Sequence, residues 1–319
     1  MGMLIKGKLT DDWLAKEMDS GEFKRMDSTF RDWVSGDGSS QYAAEKNRYH
    51  LYVSHACPWA HRTVIFRKLK QLEHIIGLSV VEPDMLNDGW TFSASGDYCE
   101  PLYNSRFMHE IYTRAEKEFT GQITVPVLWD KKTNTIVNNE SSEIIRMLNS
   151  EFNEFTPIKT DYYPLALRER IKLTNKPIYD NINNGVYRCG FATTQDAYEE
   201  AFDRLFNTLD NVEKTLSIQR YLMGSEITEA DWRLFTTLIR FDAVYVGHFK
   251  CNLKRIADYS NLSNYLRELY QIEGIAETVD FDYIKRHYYY SHTSVNPTQL
   301  IPKGPEQNFN LAHDRDKFN

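Results

Sequence analysis

The chain has 319 residues, 41% hydrophobic and 26% charged, with a formal net charge of -7, ordinary values for a soluble globular protein large enough for two domains. Acidic and basic residues are interspersed, so no basic face marks a nucleic-acid partner, and no apolar run reaches the length of a membrane span. The first residues lack the apolar core of a signal peptide, and the four cysteines at 57, 99, 189 and 251 have neither metal-ligand spacing nor a disulfide framework, which together predict a reduced, cytoplasmic protein without a metal.

In chain order, residues 1–48 are polar and charged with apolar spots at Phe23, Phe30 and Trp33, and read as an extended arm wrapping the domain that follows. Tyr49–Ser54 alternates as a strand, Pro58 to about Leu72 has helical spacing, and Ile76–Val81 is a second strand. Pro83 to Tyr103, rich in Gly, Ser, Asn and Asp, predicts a long loop, followed by a helix over 105–117. Thr124–Asp130 and Thr135–Val137, joined by Lys131-Lys132-Thr133-Asn134, predict a β-hairpin. The proline at 126 argues against a central ladder position, unless it is cis at the start of its strand. A helix from about Glu143 to Phe152 completes a domain over 49–155 in the order βαβ, helix, ββα. After a linker, the pattern is helical over 164–290, strongest near 165–185, 195–218, 229–246 and 260–271. Pro177 should break or kink the first of these helices, or open a fresh one. Thr228-Glu229-Ala230-Asp231 is a capping-box variant opening a buried helix. The tail 291–319 lacks periodicity.

Cys57 carries the chemistry. It follows a strand and precedes a proline at the first helical position, which places its thiol at a helix N-terminus. Unpaired N–H groups and the positive end of the macrodipole there stabilise thiolate over thiol. The position three residues on, where a dithiol redox protein carries its second cysteine, is Ala60. A lone thiolate cannot resolve a mixed disulfide internally, so the second thiol must come from solution, and glutathione fits. Further along, a cis proline at 126 would expose the Val125 N–H and C=O to an extended peptide. A helix N-terminus at Glu140-Ser141 would offer N–H donors and a hydroxyl to a γ-glutamyl carboxylate, with Glu140 for its ammonium. Taken singly, Val125-Pro126 is a strand opening and Ser141 a helix cap. In this order with Cys57 they form a thioredoxin-like glutathione site.

Cys57-Pro58-Trp59-Ala60, Gly89-Trp90, Thr124-Val125-Pro126-Val127-Leu128-Trp129-Asp130 and Asn138-Asn139-Glu140-Ser141-Ser142-Glu143-Ile144 resemble the xi-class glutathione transferases. These are the glutathionyl-hydroquinone reductases, related to omega-class enzymes. The resemblance continues through Asn183-Asn184-Gly185-Val186-Tyr187, Gly190-Phe191-Ala192, the Phe241–Asn252 run and His287-Tyr288-Tyr289, covering about residues 20 to 305. It implies an α/β thioredoxin-like N-terminal domain, an all-α glutathione-transferase C-terminal domain and a homodimer. It also implies reductive deglutathionylation of glutathionyl-hydroquinones through a Cys57–glutathione mixed disulfide. By the same resemblance Trp90, Gln122, Thr124, Val125, Glu140 and Ser141 bind glutathione, while Tyr187, Tyr288 and Tyr245 line the hydroquinone site. The family carries Gly-Arg where this chain has Gly121-Gln122, which exchanges a charged fork for a neutral amide and should weaken the grip on a carboxylate; Arg106 and Arg114 are the nearby bases. Two other readings are an omega-like thiol transferase or dehydroascorbate reductase, and a non-catalytic interaction module. A scaffold, however, has no physical need for a thiol at a helix N-terminus.

Overall fold

A computed structural model describes residues 2–10 and 21–318; the parts of the expected arm and tail at Met1, 11–20 and Asn319 lie outside the described residues. The chain divides into two compact units, Met1–Lys16 with Arg25–Thr160, and Glu17–Lys24 with Asp161–Asn319.

In the first unit, β1 (Met3–Ile5) and β2 (Lys8–Thr10) pair as a small antiparallel ribbon, and β3 (Val34–Ser35) lies parallel to β4 (Tyr42–Ala43). The alternating segment before Cys57 forms β5 (Tyr49–Val53), and the periodic segment after it forms α1 (Pro58–Leu69). They are followed by β6 (Gly77–Val80), α2 (Met108–Ala115), β7 (Gly121–Gln122), β8 (Val127–Asp130), β9 (Thr135–Asn138) and α3 (Ser141–Ser150). The main sheet has the order β6-β5-β8-β9, with β5 parallel to β6 and antiparallel to β8, and β8 antiparallel to β9 in the hairpin. Every residue of β5 and β8 is buried, as expected of central strands covered on both faces. Gly77 is required beside β5, because a Cβ there would lie 2.4 Å from His50 Nδ1.

The predicted loop over 83–103 is organised by one carboxylate. Glu100 accepts from the Tyr52 hydroxyl and from the N–H groups of Leu102, Tyr103 and Ser105. The Val125–Pro126 bond is cis, and β8 begins just after it. α3 begins two residues earlier than its apolar spacing indicates, because Glu140 is its cap. The arm also does more than wrap. β1 pairs with β7 at Met3–Gln122, and Asp32 N–H donates to Val137 O at 3.0 Å. Gly21–Lys24 belongs to the second unit, where Gly21 O accepts from Thr193 N–H.

The second unit consists of α4 (Arg168–Ile178), α5 (Gly185–Gly190), α6 (Gln195–Leu216), α7 (Glu229–Arg240), α8 (Ser260–Gln271) and α9 (Phe281–Ser291), with short irregular turns between them. α4 neither stops at Pro177 nor restarts there. It runs one residue further and passes into a π-helical turn over Tyr179–Asn183. Thr228 caps α7 as its sequence signal predicts: its hydroxyl accepts from Ala230 N–H, and Asp231 accepts from Thr228 N–H. α9 belongs to the helical run expected up to 290, although it is not among the stretches of strongest spacing.

Candidate active site

Cys57 is the N-cap of α1, with φ -73° and ψ 117°, and its side chain is half-buried. Sγ accepts from the Ala60 N–H at 3.4 Å and donates to the Val125 carbonyl at 3.4 Å. The two contacts act in opposite senses. The N–H favours charge on sulfur, as an N-cap contact does, whereas the carbonyl favours the neutral S–H. Cys57 and Val125 are therefore neighbours across α1 and the start of the hairpin. The other three cysteines are also free thiols. Trp59, next in the motif, lies under the Arg25 guanidinium at 3.9 Å from the ring centroid, a cation–π contact supplied by the arm.

The cap of α3 forms the other side. Glu140 is half-buried, and its Oε1 accepts from the Ser142 N–H at 2.9 Å and from its hydroxyl at 2.8 Å. The second carboxylate oxygen accepts from Ser28 Oγ at 3.2 Å. Ser141 is buried, and its hydroxyl oxygen accepts from the guanidinium of Arg62 on α1 at 3.3 Å. Arg62 thus ties the cysteine-bearing helix to the start of α3. Phe30 and Asn139 exchange backbone and side-chain hydrogen bonds, and Arg31 forms an ion pair with Glu143. The arm therefore builds the edge beside Glu140, which no sequence pattern announced. Its only local signals are single residues, Ser28 and Arg31.

Thr124 is fixed by the Tyr112 hydroxyl, to which its N–H donates at 3.2 Å and which donates to its carbonyl at 3.0 Å. Gln122 pairs through its backbone with Met3, and its side-chain amide makes no hydrogen bond among the described residues. Arg114 stacks on Tyr103, with the guanidinium 4.1 Å from the ring centroid. Trp90 is buried behind Gly89, whose φ is +69°, and its carbonyl accepts from Met108 N–H at the start of α2.

Tyr187, Tyr245 and Tyr288 belong to the helical unit, where they form one cluster. The Tyr288 hydroxyl lies 2.5 Å from that of Tyr187 and 3.1 Å from that of Tyr245. Phe23 and Phe249 pack against the Tyr187 ring at centroid distances of 6.3 and 5.3 Å. Burial pushes the Tyr245 and Tyr288 hydroxyls well above the ordinary phenol value, and the mutual repulsion of neighbouring phenolates adds to it. At neutral pH these phenols are donors, not bases. Beside them His248 lies 3.2 Å from His292 across the ring nitrogens, and burial pushes His248 down to about 4. Among the described residues no group of three or more His, Cys, Asp or Glu side chains could hold a metal.

The chain matches the glutathione S-transferase N-terminal domain over residues 56–151 and the C-terminal domain over 195–268. It is 52% identical to the glutathionyl-hydroquinone reductase YqjG of Escherichia coli, over 99% of both chains. The chain belongs to the xi-class glutathione transferases. The glutathionyl-hydroquinone reductase PcpF of Sphingobium chlorophenolicum is 49% identical, covering 96% of this chain and 97% of that one. The glutathione-bound structure of YqjG superimposes with a TM-score of 0.90 at 50% identity, over 99% of both chains. The fold expected from sequence, a thioredoxin-like N-terminal domain and a helical glutathione-transferase C-terminal domain, is therefore that of the family.

Proposed function

We propose that this xi-class transferase removes glutathione from glutathionyl-hydroquinones, with Cys57 as the nucleophile and glutathione as co-substrate. The Cys57 thiolate attacks the sulfur of the conjugate. The carbon–sulfur bond breaks, the ring carbon takes a proton, and hydroquinone leaves as Cys57 becomes a mixed disulfide with glutathione. The thiolate of a second glutathione attacks that disulfide, releasing oxidised glutathione and regenerating the Cys57 thiolate. The ring is reduced by two electrons and two glutathionyl sulfurs are joined, so the cycle balances without another oxidant.

On this reading Val125 pairs with the cysteinyl backbone of glutathione, and Glu140 and Ser141 take its γ-glutamyl end; Trp90, Gln122 and Thr124 complete the site. Tyr187 and Tyr288, supported by Tyr245, donate to a hydroquinone oxygen and stabilise charge developing on the departing ring. We also infer that the protein works as a homodimer in the cytoplasm. Its four cysteines are free, and no helix among the described residues is long and apolar enough to cross a membrane.

The observation that carries the mechanism is Cys57 Sγ at the N-cap of α1, with alanine where a resolving cysteine would stand. The test is intact mass after incubation with oxidised glutathione, together with turnover of a glutathionyl-hydroquinone and of dehydroascorbate. The wild type is expected to gain one glutathionyl group and to prefer the hydroquinone conjugate, and Cys57→Ala is expected to do neither. Preferred turnover of dehydroascorbate would favour the omega-like reading. Absence of the adduct on wild type would exclude both enzymatic readings.

A further inference from the structure

Thr124-Val125 precede and Asn139-Glu140-Ser141 follow the two strands of one hairpin, whose open end is closed by the pairing of Leu128 with Asn138. Tyr112 of α2, wholly buried, reaches both. Its hydroxyl oxygen accepts from the Thr124 N–H at 3.2 Å and from Asn139 Nδ2 at 3.2 Å, while its proton goes to the Thr124 carbonyl at 3.0 Å, with Thr124 Oγ1 at 3.2 Å. Asn139 is in turn fixed by Phe30, whose N–H donates to Asn139 Oδ1 at 3.1 Å and whose carbonyl accepts from Asn139 N–H at 3.1 Å. The Tyr112 ring is held between Phe30 and Phe119, at centroid distances of 6.0 and 5.1 Å. A single oxygen thus links the residue before Val125 to the residue before Glu140.

We infer that Tyr112 is a positioning residue for glutathione, setting the spacing between the Val125 backbone and the start of α3 through its hydrogen bonds to Thr124 and Asn139. The inference rests on the proposed glutathione site. A tripeptide held by its cysteinyl backbone at one segment and its γ-glutamyl end at the other needs that spacing fixed to within about half an ångström. Burial keeps the Tyr112 phenol protonated, which sustains its donor bond to the Thr124 carbonyl. Tyr112 bonds to Thr124 of the proposed site and to Asn139, so its effect on Val125, Glu140 and Ser141 is on where they stand.

The test is Tyr112→Phe beside Tyr49→Phe. Tyr49 is a wholly buried tyrosine of the same unit whose hydroxyl donates to the Ala43 carbonyl at 2.7 Å. Tyr112→Phe should raise KM for glutathione about tenfold, the effect of leaving buried partners unsatisfied, while kcat at saturating glutathione changes by less than about twofold. Tyr49→Phe should lower thermal stability to a similar extent and leave KM unchanged. Asn139→Ala, which removes the Nδ2 donor to Tyr112 together with the acceptor for Phe30 and adds no charge, should repeat the KM rise and serves if Tyr112→Phe does not fold. If Ser141→Ala raises KM while Tyr112→Phe or Asn139→Ala matches Tyr49→Phe, the positioning role is overturned. If Ser141→Ala and Glu140→Gln both leave KM unchanged, it is the glutathione site that fails, and the inference with it.

Discussion

Glu140→Gln separates the two roles that Glu140 combines. As the cap of α3 its Oε1 accepts from the Ser142 N–H and hydroxyl, and its second oxygen accepts from Ser28. Glutamine has the same shape. Its carbonyl oxygen can keep both Ser142 contacts, and the Ser28 hydroxyl can turn to accept from the new amide. The capping contribution of about 1 kcal/mol is therefore retained. What disappears is the negative charge offered to the ammonium of glutathione. A hydrogen bond to a charged partner contributes about 1.5–3 kcal/mol, so KM for glutathione should rise by about 10- to 150-fold. Thermal stability should move by no more than a couple of degrees, since ~1 kcal/mol corresponds to only a few degrees in a chain of this size. Glu140→Ala should raise KM as well and also lower thermal stability, because the cap of α3 is lost with the charge. The assays are steady-state kinetics at varied glutathione and a thermal melt of each variant. An unchanged KM in Glu140→Gln, with wild-type melting, would refute the assignment of Glu140 to the ammonium.

Two further outcomes follow from the buried polar groups. Tyr288→Phe should slow reduction of the conjugate more than formation of the Cys57 adduct from oxidised glutathione, because Tyr288 is the middle of the three linked phenols; equal effects on both steps in single-turnover measurements would remove its acceptor role. Burial lowers the His50 imidazole to about 4, against a weaker opposing pull from Glu100. Its folded value is depressed below the unfolded one, near 6.5. The neutral ring's contribution to stability is then complete above pH ~6.5 and is lost as pH falls toward 4, on the order of 3 kcal/mol. Denaturant melts across that window should flatten in His50→Gln, and an unchanged slope would show that other groups set the acid limit.

The parts of the fold that were legible in sequence are those specified by neighbours in the chain. Strand β5, the Cys57 cap, the hairpin and the Thr228 cap each depend on a handful of consecutive residues. The Glu140-Ser141 motif marks the start of α3, whereas apolar spacing alone begins near Glu143; the cap is Glu140 and not Ser141, a residue type that the usual preference for Ser, Thr, Asp and Asn passes over. The passage of α4 through Pro177 was not legible, since a π-helical turn depends on what packs around it. The β1–β2 ribbon was invisible for a different reason: a three-residue strand has no periodicity to read, and its partner Gly121-Gln122 lies more than a hundred residues away. Nothing in the helical spacing over 105–117 singles out Tyr112, because the partners of its hydroxyl are set by tertiary contacts.

The same distinction bears on how the proposed site divides its work. At Gln122 the backbone is pinned by β1, and the side chain presents a neutral amide with no hydrogen-bond partner among the described residues. A carboxylate held there would gain a neutral hydrogen bond in place of a bidentate charged pair, roughly half the strength. Arg114, one of the two nearby bases, has its guanidinium stacked on Tyr103. On the proposed reading, the charge offered to glutathione at the start of α3 is that of Glu140, which caps the helix beside the Arg62-bound Ser141 hydroxyl. The arm is stitched to this edge, since Ser28, Phe30 and Arg31 each bond to Glu140, Asn139 or Glu143, which holds the Glu140 carboxylate in place. That anchoring places the expected effect of Glu140→Gln toward the upper end of its range.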